Sequence, residues 1–152
     1  MIMRRLFVYF LAALVILSAA GCKGNKKVKT DITGVWELEE FSGLRASDQN
    51  VVVYVEFLKD GNFDLFQRIG DGRFEHYTGS WTLTDDVLSG KYSDGKKLAD
   101  MYDVSLSSDR KTLTLKSQKN SEESVYRKSS IPSSVRDEAR TKASGHDSAP
   151  FL

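Results

Sequence analysis

From Ile32 to Lys128 apolar and polar positions alternate with a period of two, the pattern of strands buried on one face. Ile32, Gly34, Trp36 and Leu38 share one parity, opposed by Thr33, Glu37 and Glu39. Val51, Val53, Val55 and Phe57 form a β-branched face. Phe63, Leu65 and Ile69 follow, opposed by Asp64 and Arg68. Tyr77, Gly79, Trp81 and Leu83 stand against Thr78, Ser80 and Thr82, and Leu88, Gly90 and Tyr92 come next. Leu98, Tyr102, Val104 and Leu106 make a further face, then Leu113 and Leu115, and Val125 and Arg127 end the series. No segment carries a helical period long enough for a crossover. The expected fold is therefore all-β: an antiparallel up-and-down barrel of about eight strands, whose closure removes exposed edges.

The punctuation agrees. Asp31 to Ser130 contains no proline, as an uninterrupted sheet requires. Asp60-Gly61, Asp71-Gly72 and Asp94-Gly95 are hairpin dipeptides, and Asp85-Asp86, Ser107-Ser108-Asp109 and Lys119-Asn120-Ser121 are weaker turn signals. One connection is long. Residues 42–49 are expected at the same end as the turns near Gly70–Gly72, Ser93–Lys97 and Lys119–Glu122, either as a flap over the barrel mouth or as an inert surface loop. Beyond the barrel (31–130), Ile131, Val135 and Ala139 recur every four residues. They predict a short helix within 131–142 lying on the barrel wall, with Pro132 at its start and Ser134 and Asp137 as a capping box. Residues 143–152 have no period and are expected to fray as a disordered tail.

The N-terminal end reads as an address. Arg4 and Arg5 precede an apolar run from Leu6 to Leu17, and Ser18-Ala19-Ala20-Gly21 are small. This describes a secretory signal peptide over residues 1–21; the rival reading is an uncleaved anchor, for which the run is short of the ~20 residues a span needs. Cys22 is the single cysteine of the 152-residue chain, which excludes an internal disulfide and a Cys-based zinc cluster. Leu17-Ser18-Ala19-Ala20-Gly21-Cys22 resembles the bacterial lipoprotein lipobox, with Ala19 where that family usually carries Leu. The resemblance implies cleavage before Cys22 and its lipidation by diacylglycerol and palmitate, so that acyl chains hold the protein to the membrane. A bare thiol there is the alternative, and in an oxidising compartment it is a liability. Lys23, Lys26, Lys27 and Lys29 make residues 22–30 a basic tether, suited to anionic headgroups or simply solvated. In Bacteroides-type lipoproteins an acidic cluster after the Cys accompanies surface export. Lys23-Gly24-Asn25-Lys26 implies instead the outer membrane of the cell envelope, facing the periplasm. The formal charge of +1 gives no reason to expect nucleic acid.

Gly34-Val35-Trp36 in a secreted meander resembles the lipocalin G-x-W signature. Thr33-Gly34-Val35-Trp36, Thr78-Gly79-Ser80-Trp81 and Tyr126-Arg127-Lys128 together resemble the lipocalin-like domain lipoproteins of Bacteroides, over roughly residues 31–142. The resemblance implies that Trp36 packs beneath an Arg of the last strand, here Arg127, to close one end of the barrel. The short body implies a narrow or shallow pocket.

No catalytic or cofactor signature is present: no G-x-S-x-G, H-E-x-x-H, P-loop or dinucleotide fingerprint. Asp60-Gly61-Asn62-Phe63-Asp64 begins like a calcium loop, but Leu65 replaces the required glycine, so a hairpin turn is the better reading. His76 is mid-strand and expected to face outward, and His146 lies in the tail. The expectation is a non-catalytic protein without cofactor or metal. Two classes of function stay open. In the first, Trp81, Tyr92 and Tyr102 share the inward parity and line a cavity for a small hydrophobic or carbohydrate-like ligand. Plain core filling is the competing reading of the same three. Asp100 shares their parity, as a polar pocket group or as a sign of a register slip. In the second class the barrel is solid, and an outer face including Val52 and Tyr54 meets an envelope protein or inhibits an enzyme.

Overall fold

The computed structural model describes residues 29–141 and 151–152; the expected signal peptide, Cys22, the lysines up to Lys27, and His146 lie outside the described residues. Eight strands form the wall: β1 (Gly34–Phe41), β3 (Val51–Phe57), β4 (Asn62–Ile69), β5 (Glu75–Thr84), β6 (Val87–Tyr92), β7 (Tyr102–Leu106), β8 (Thr112–Ser117) and β9 (Glu123–Lys128). Between them lies the two-residue β2 (Leu44–Arg45), and after them come α1 (Ser133–Glu138) and β10 (Arg140–Thr141). Each wall strand pairs antiparallel with the next, and β9 returns to β1, so the barrel is closed.

The interior follows the expected parity over most of the wall. Val53, Val55, Phe57, Phe63, Leu65, Leu88, Leu113 and Leu115 are all buried in one core. Leu98 is buried there too, but from the loop before β7 rather than from a strand. Two strands depart from simple alternation. In β1, Leu38 pairs with Tyr126 and Glu40 with Val125, so Glu39 is the extra residue of a bulge. In β9, Ser124 and Tyr126 are buried and Arg127 is exposed, opposite to the parity read from Val125 and Arg127. The alternating face of that strand is therefore displaced by one residue, which turns every side chain to the other side of the wall.

The turns fall where the dipeptides place them. Asp60 caps its own hairpin, accepting hydrogen bonds from the Asn62 backbone N–H and side-chain amide, both at 2.9 Å. This is the hairpin reading of that motif, not the calcium reading. Asp85 and Asp86 both take positive φ, the geometry of a type I′ turn. In the β4–β5 connection the positive φ falls on Gly70 rather than on Gly72.

Residues 42–49 do not form an open flap. They fold back as β2 against β1, pairing Phe41 with Leu44, and bury Ala46 in the core.

Helix α1 lies on the outside of the wall, as expected, with shorter bounds and without its capping box. Pro132 is its N-cap, no side chain caps it, and the chain then runs into β10, parallel to β5. Val135 is buried against Tyr54 and Phe66, with Val52, Phe74, Ile131 and Ala139 packed around them. Tyr54 and Val52 are thus covered by this chain's own helix and the β4–β5 loop. The free interaction face expected at these residues is not there.

Candidate functional site at the open end of the barrel

The barrel has two unlike ends. At one, β1 begins, and Trp36 is 1% exposed with its Nε1 donating to the Ile32 carbonyl at 2.8 Å. Lys128 pairs with Trp36 across the β1–β9 ladder, so both point inward. Its Nζ lies 4.4 Å from the Trp36 ring centroid and donates to the Thr33 carbonyl at 2.9 Å. A Cβ on Gly34 would stand 2.5 Å from that Nζ. The glycine of the Gly-x-Trp motif therefore opens the space through which the ammonium reaches the indole.

The cation closing this end is Lys128, not Arg127. Arg127 pairs with Glu37 on the outer face, its Nη2 donating to Glu37 Oε2 at 2.8 Å. The displaced alternation in β9 explains the exchange: consecutive residues of a strand face opposite sides of the wall.

Trp81 belongs to this end as well. Its ring meets Phe57 edge-on at 5.2 Å, and its Nε1 donates to the Asn62 carbonyl at 2.9 Å. Gly79, two residues earlier, faces the Phe63 ring so closely that a Cβ there would be 2.5 Å from it and 2.3 Å from the Lys91 carbonyl. Gly79 is therefore a packing residue, and Trp81 packs on Phe57 while staying half-buried. Trp81 also borders an outer groove with Leu98 and Met101 where β6 parts from β7, a feature that sequence reasoning did not find.

Tyr92 and Tyr102 sit at the opposite, open end. Here β1 ends at Phe41, β4 at Gln67–Ile69, β6 at Tyr92 and β8 at Ser117. Among the described residues the buried polar side chains gather at this end: Gln67 is 1% exposed, and Ser117 and Ser124 are buried. The Tyr92 ring packs edge-on against Phe63 at 5.6 Å and Tyr77 at 6.2 Å. Burial pushes the Tyr92 phenol far above its ordinary pKa and pushes that of Tyr102 up to about 12, so both are neutral donors at physiological pH. A cavity of about 410 Å³ opens beside Tyr102, bordered also by Phe41, Ser117, Ser124 and Phe151.

Asp100 borders this cavity and is no error of register. It precedes β7 and accepts hydrogen bonds from the Ser117 hydroxyl and from the backbone N–H groups of Lys119, at 2.8 Å, and Met101, at 2.7 Å. The Ser117 hydroxyl foremost, then these amides, hold its carboxyl below the ordinary range. It fixes the β8–β9 turn against the start of β7.

The tail supplies what the sequence did not announce. Phe151 and Leu152 are seated at the open end rather than frayed. Leu152 is 1% exposed, its carbonyl accepts a hydrogen bond from the Tyr92 hydroxyl, and Phe151 meets Phe41 edge-on at 5.3 Å. The Phe151 N–H donates to Gln67 Oε1 at 3.2 Å. Gln67 itself was unremarked in the sequence, although a glutamine at an inward position of an otherwise apolar strand was a readable signal.

Elsewhere, His76 faces outward as expected. It shares a 2.6 Å contact with Asp64 and stacks on Phe66 at 4.3 Å under the edge of α1. No group of three or more His, Cys, Asp or Glu able to hold a metal occurs among the described residues.

Comparison with known proteins agrees with the fold. Residues 32–115 match the lipocalin-like domain family. A lipocalin-like protein from Bacteroides uniformis ATCC 8492 shares the fold with a TM-score of 0.50 and 19% identity, over 66% of this chain and 100% of that one. An uncharacterized protein from Bacteroides eggerthii DSM 20697 aligns with a TM-score of 0.48 and 18% identity, over 65% of this chain and 100% of that one. No curated protein matches. With the family match spanning more than half of its length, the chain belongs to the lipocalin-like domain family.

Proposed function

We propose that this protein is a non-catalytic binding protein of the bacterial cell envelope, held to the outer membrane on its periplasmic side by lipid on Cys22, and that it takes a small apolar ligand at the open end of its barrel. The observation that carries the ligand reading is Gln67. Its side chain is buried at the open end, and its Nε2 has no hydrogen-bond partner among the described residues. A core that needs only to be full has no use for a buried amide with an unmet N–H₂, because leaving such a group unpaired costs roughly 1–3 kcal/mol. With the Tyr92 hydroxyl nearby, the open end offers directional donors within apolar walls, the usual composition of a small-molecule site. This favours a hydrophobic ligand with a polar head over a carbohydrate, whose many hydroxyls would find few partners here.

A second reading has its own support. The half of the barrel around Trp36, Phe57, Leu65 and Leu113 is filled by its own side chains, each 1% exposed or less. In a structural or inhibitor-type lipoprotein the whole barrel is solid, and an outer face meets an envelope partner. Native mass spectrometry of the protein purified from its host separates the two. A stoichiometric small molecule released on denaturation supports the carrier. A bare protein that cross-links to one envelope protein supports the structural reading. The anchor is tested separately: Cys22→Ser should abolish palmitate labelling and release the protein from membranes, and unchanged membrane association would overturn it.

A further inference from the structure

Phe151 and Leu152 do more than cover the open end; they bond to two of its polar side chains. The Phe151 N–H is donated to Gln67 Oε1 at 3.2 Å, and the Leu152 carbonyl accepts from the Tyr92 hydroxyl. The Phe151 ring lies edge-on to Phe41 at 5.3 Å, and the Leu152 side chain joins the core cluster with Leu65, Tyr77 and Tyr92. Both bonds reach far along the chain: the Gln67 contact spans 84 positions and the Tyr92 contact 60.

We infer that Phe151–Leu152 is the resident occupant of the binding site, and that the site is built for an apolar molecule bearing an adjacent N–H and carbonyl, as in a peptide or an N-acyl amino acid. The inference deepens the carrier reading and rests on it. It states what the ligand must offer: an N–H toward Gln67 Oε1, an acceptor oxygen toward Tyr92, an aromatic or branched body against Phe41, and ideally a second acceptor. The last follows from Gln67 Nε2, which the tail leaves without a partner among the described residues. A free ligand that also places an acceptor oxygen on Gln67 Nε2 satisfies one donor more than Phe151 and Leu152 do. It has to displace the tail first, so the tail sets a threshold that only a ligand with this head group crosses. An occupant that must leave lowers apparent affinity by the fraction of time the site is free.

The test uses the full lipidated chain in lipid nanodiscs and N-dansyl-phenylalanyl-leucine as the fluorescent probe. The double substitution Phe151→Ser with Leu152→Ser should raise probe affinity tenfold or more over the unaltered chain. Leu152→Ala alone should raise it by less in the same direction. Adding Gln67→Leu to the double variant should abolish the gain, with far-UV circular dichroism confirming the barrel in each variant. Exchange of the Phe151 amide proton, slow in the unaltered chain, should accelerate in Tyr92→Phe. Equal probe binding with and without the two tail substitutions would overturn the competition and leave the carrier reading standing. Binding in none of the variants, together with a bare protein from the host, would overturn both.

Discussion

A single missing side chain decides how the closed end is built. Gly34 leaves room for Lys128 Nζ, and the ammonium lies over the Trp36 ring although the lysine itself is exposed. A cation on an indole face is worth about 0.5–2 kcal/mol, whereas an exposed pair such as Arg127 with Glu37 is worth roughly 0–1 kcal/mol. Lys128→Met should therefore destabilise more than Arg127→Met in urea unfolding, and Lys128→Arg should recover part of the loss. The reverse ranking would restore Arg127 to the role that the lipocalin resemblance implied. Gly79 is constrained differently, by the Lys91 carbonyl and the Phe63 ring, neither of which can yield without moving a wall strand or a core ring. Gly79→Ala should cost about 1–3 kcal/mol, the usual penalty of overfilling a packed core. A fully stable Gly79→Ala protein would mean that Phe63 has another place to go.

Strands carry their own address in their alternation, and here that legibility was uneven for physical reasons. Where a strand presents a β-branched or aromatic face against a polar one, as in β3 and β5, its inward side could be read directly from the sequence. In β9 the choice was between Val125 with Arg127 and Tyr126 with Lys128: one apolar and one cationic residue on each side. Nothing local separates them, and the decision comes from Trp36 and Leu38 across the ladder. The bulge at Glu39 is invisible for the same reason, since it exists only in relation to the partner strand. Helix α1 was legible as a stripe, but what it covers was not. Six residues cannot hold a helix alone, so its formation depends on docking Val135 onto Tyr54 and Phe66. Val135→Asp should undock it at a cost of about 1.5–3 kcal/mol, the worth of one buried aliphatic side chain. Limited proteolysis would then cut within 131–141 while the wall strands stay intact. Cleavage no faster than in the unaltered chain would mean that the helix is held by Arg136 and Glu56, 2.7 Å apart, rather than by Val135.

Closing eight strands into one wall places several phenols out of reach of water, and this gives the molecule a pH response that no single strand has. Tyr92, Tyr102 and Tyr126 inside the barrel all have raised pKa values, chiefly through desolvation, with Tyr102 at about 12. Tyr54 under α1 is pushed the same way, by burial first and by the Glu37 charge second. In the unfolded chain each ionises near pH ~10. Below that value the phenols are neutral in both states, and the stability they contribute is present in full. Above it the unfolded chain releases protons that the folded barrel retains, so stability falls as pH rises and is lost through the folded pKa values. The slope is about 1.4 kcal/mol per pH unit for each tyrosine protonated only in the folded state. Urea unfolding followed from pH 9 to 12 should therefore show a steep decline beginning near 10, set by several protons rather than one. Tyr102→Phe should make that decline shallower by up to one proton's worth, and its apparent onset should not move. A decline of unchanged slope in Tyr102→Phe would mean that water already reaches this phenol, and that the open end is wetter than the seated Phe151 and Leu152 imply.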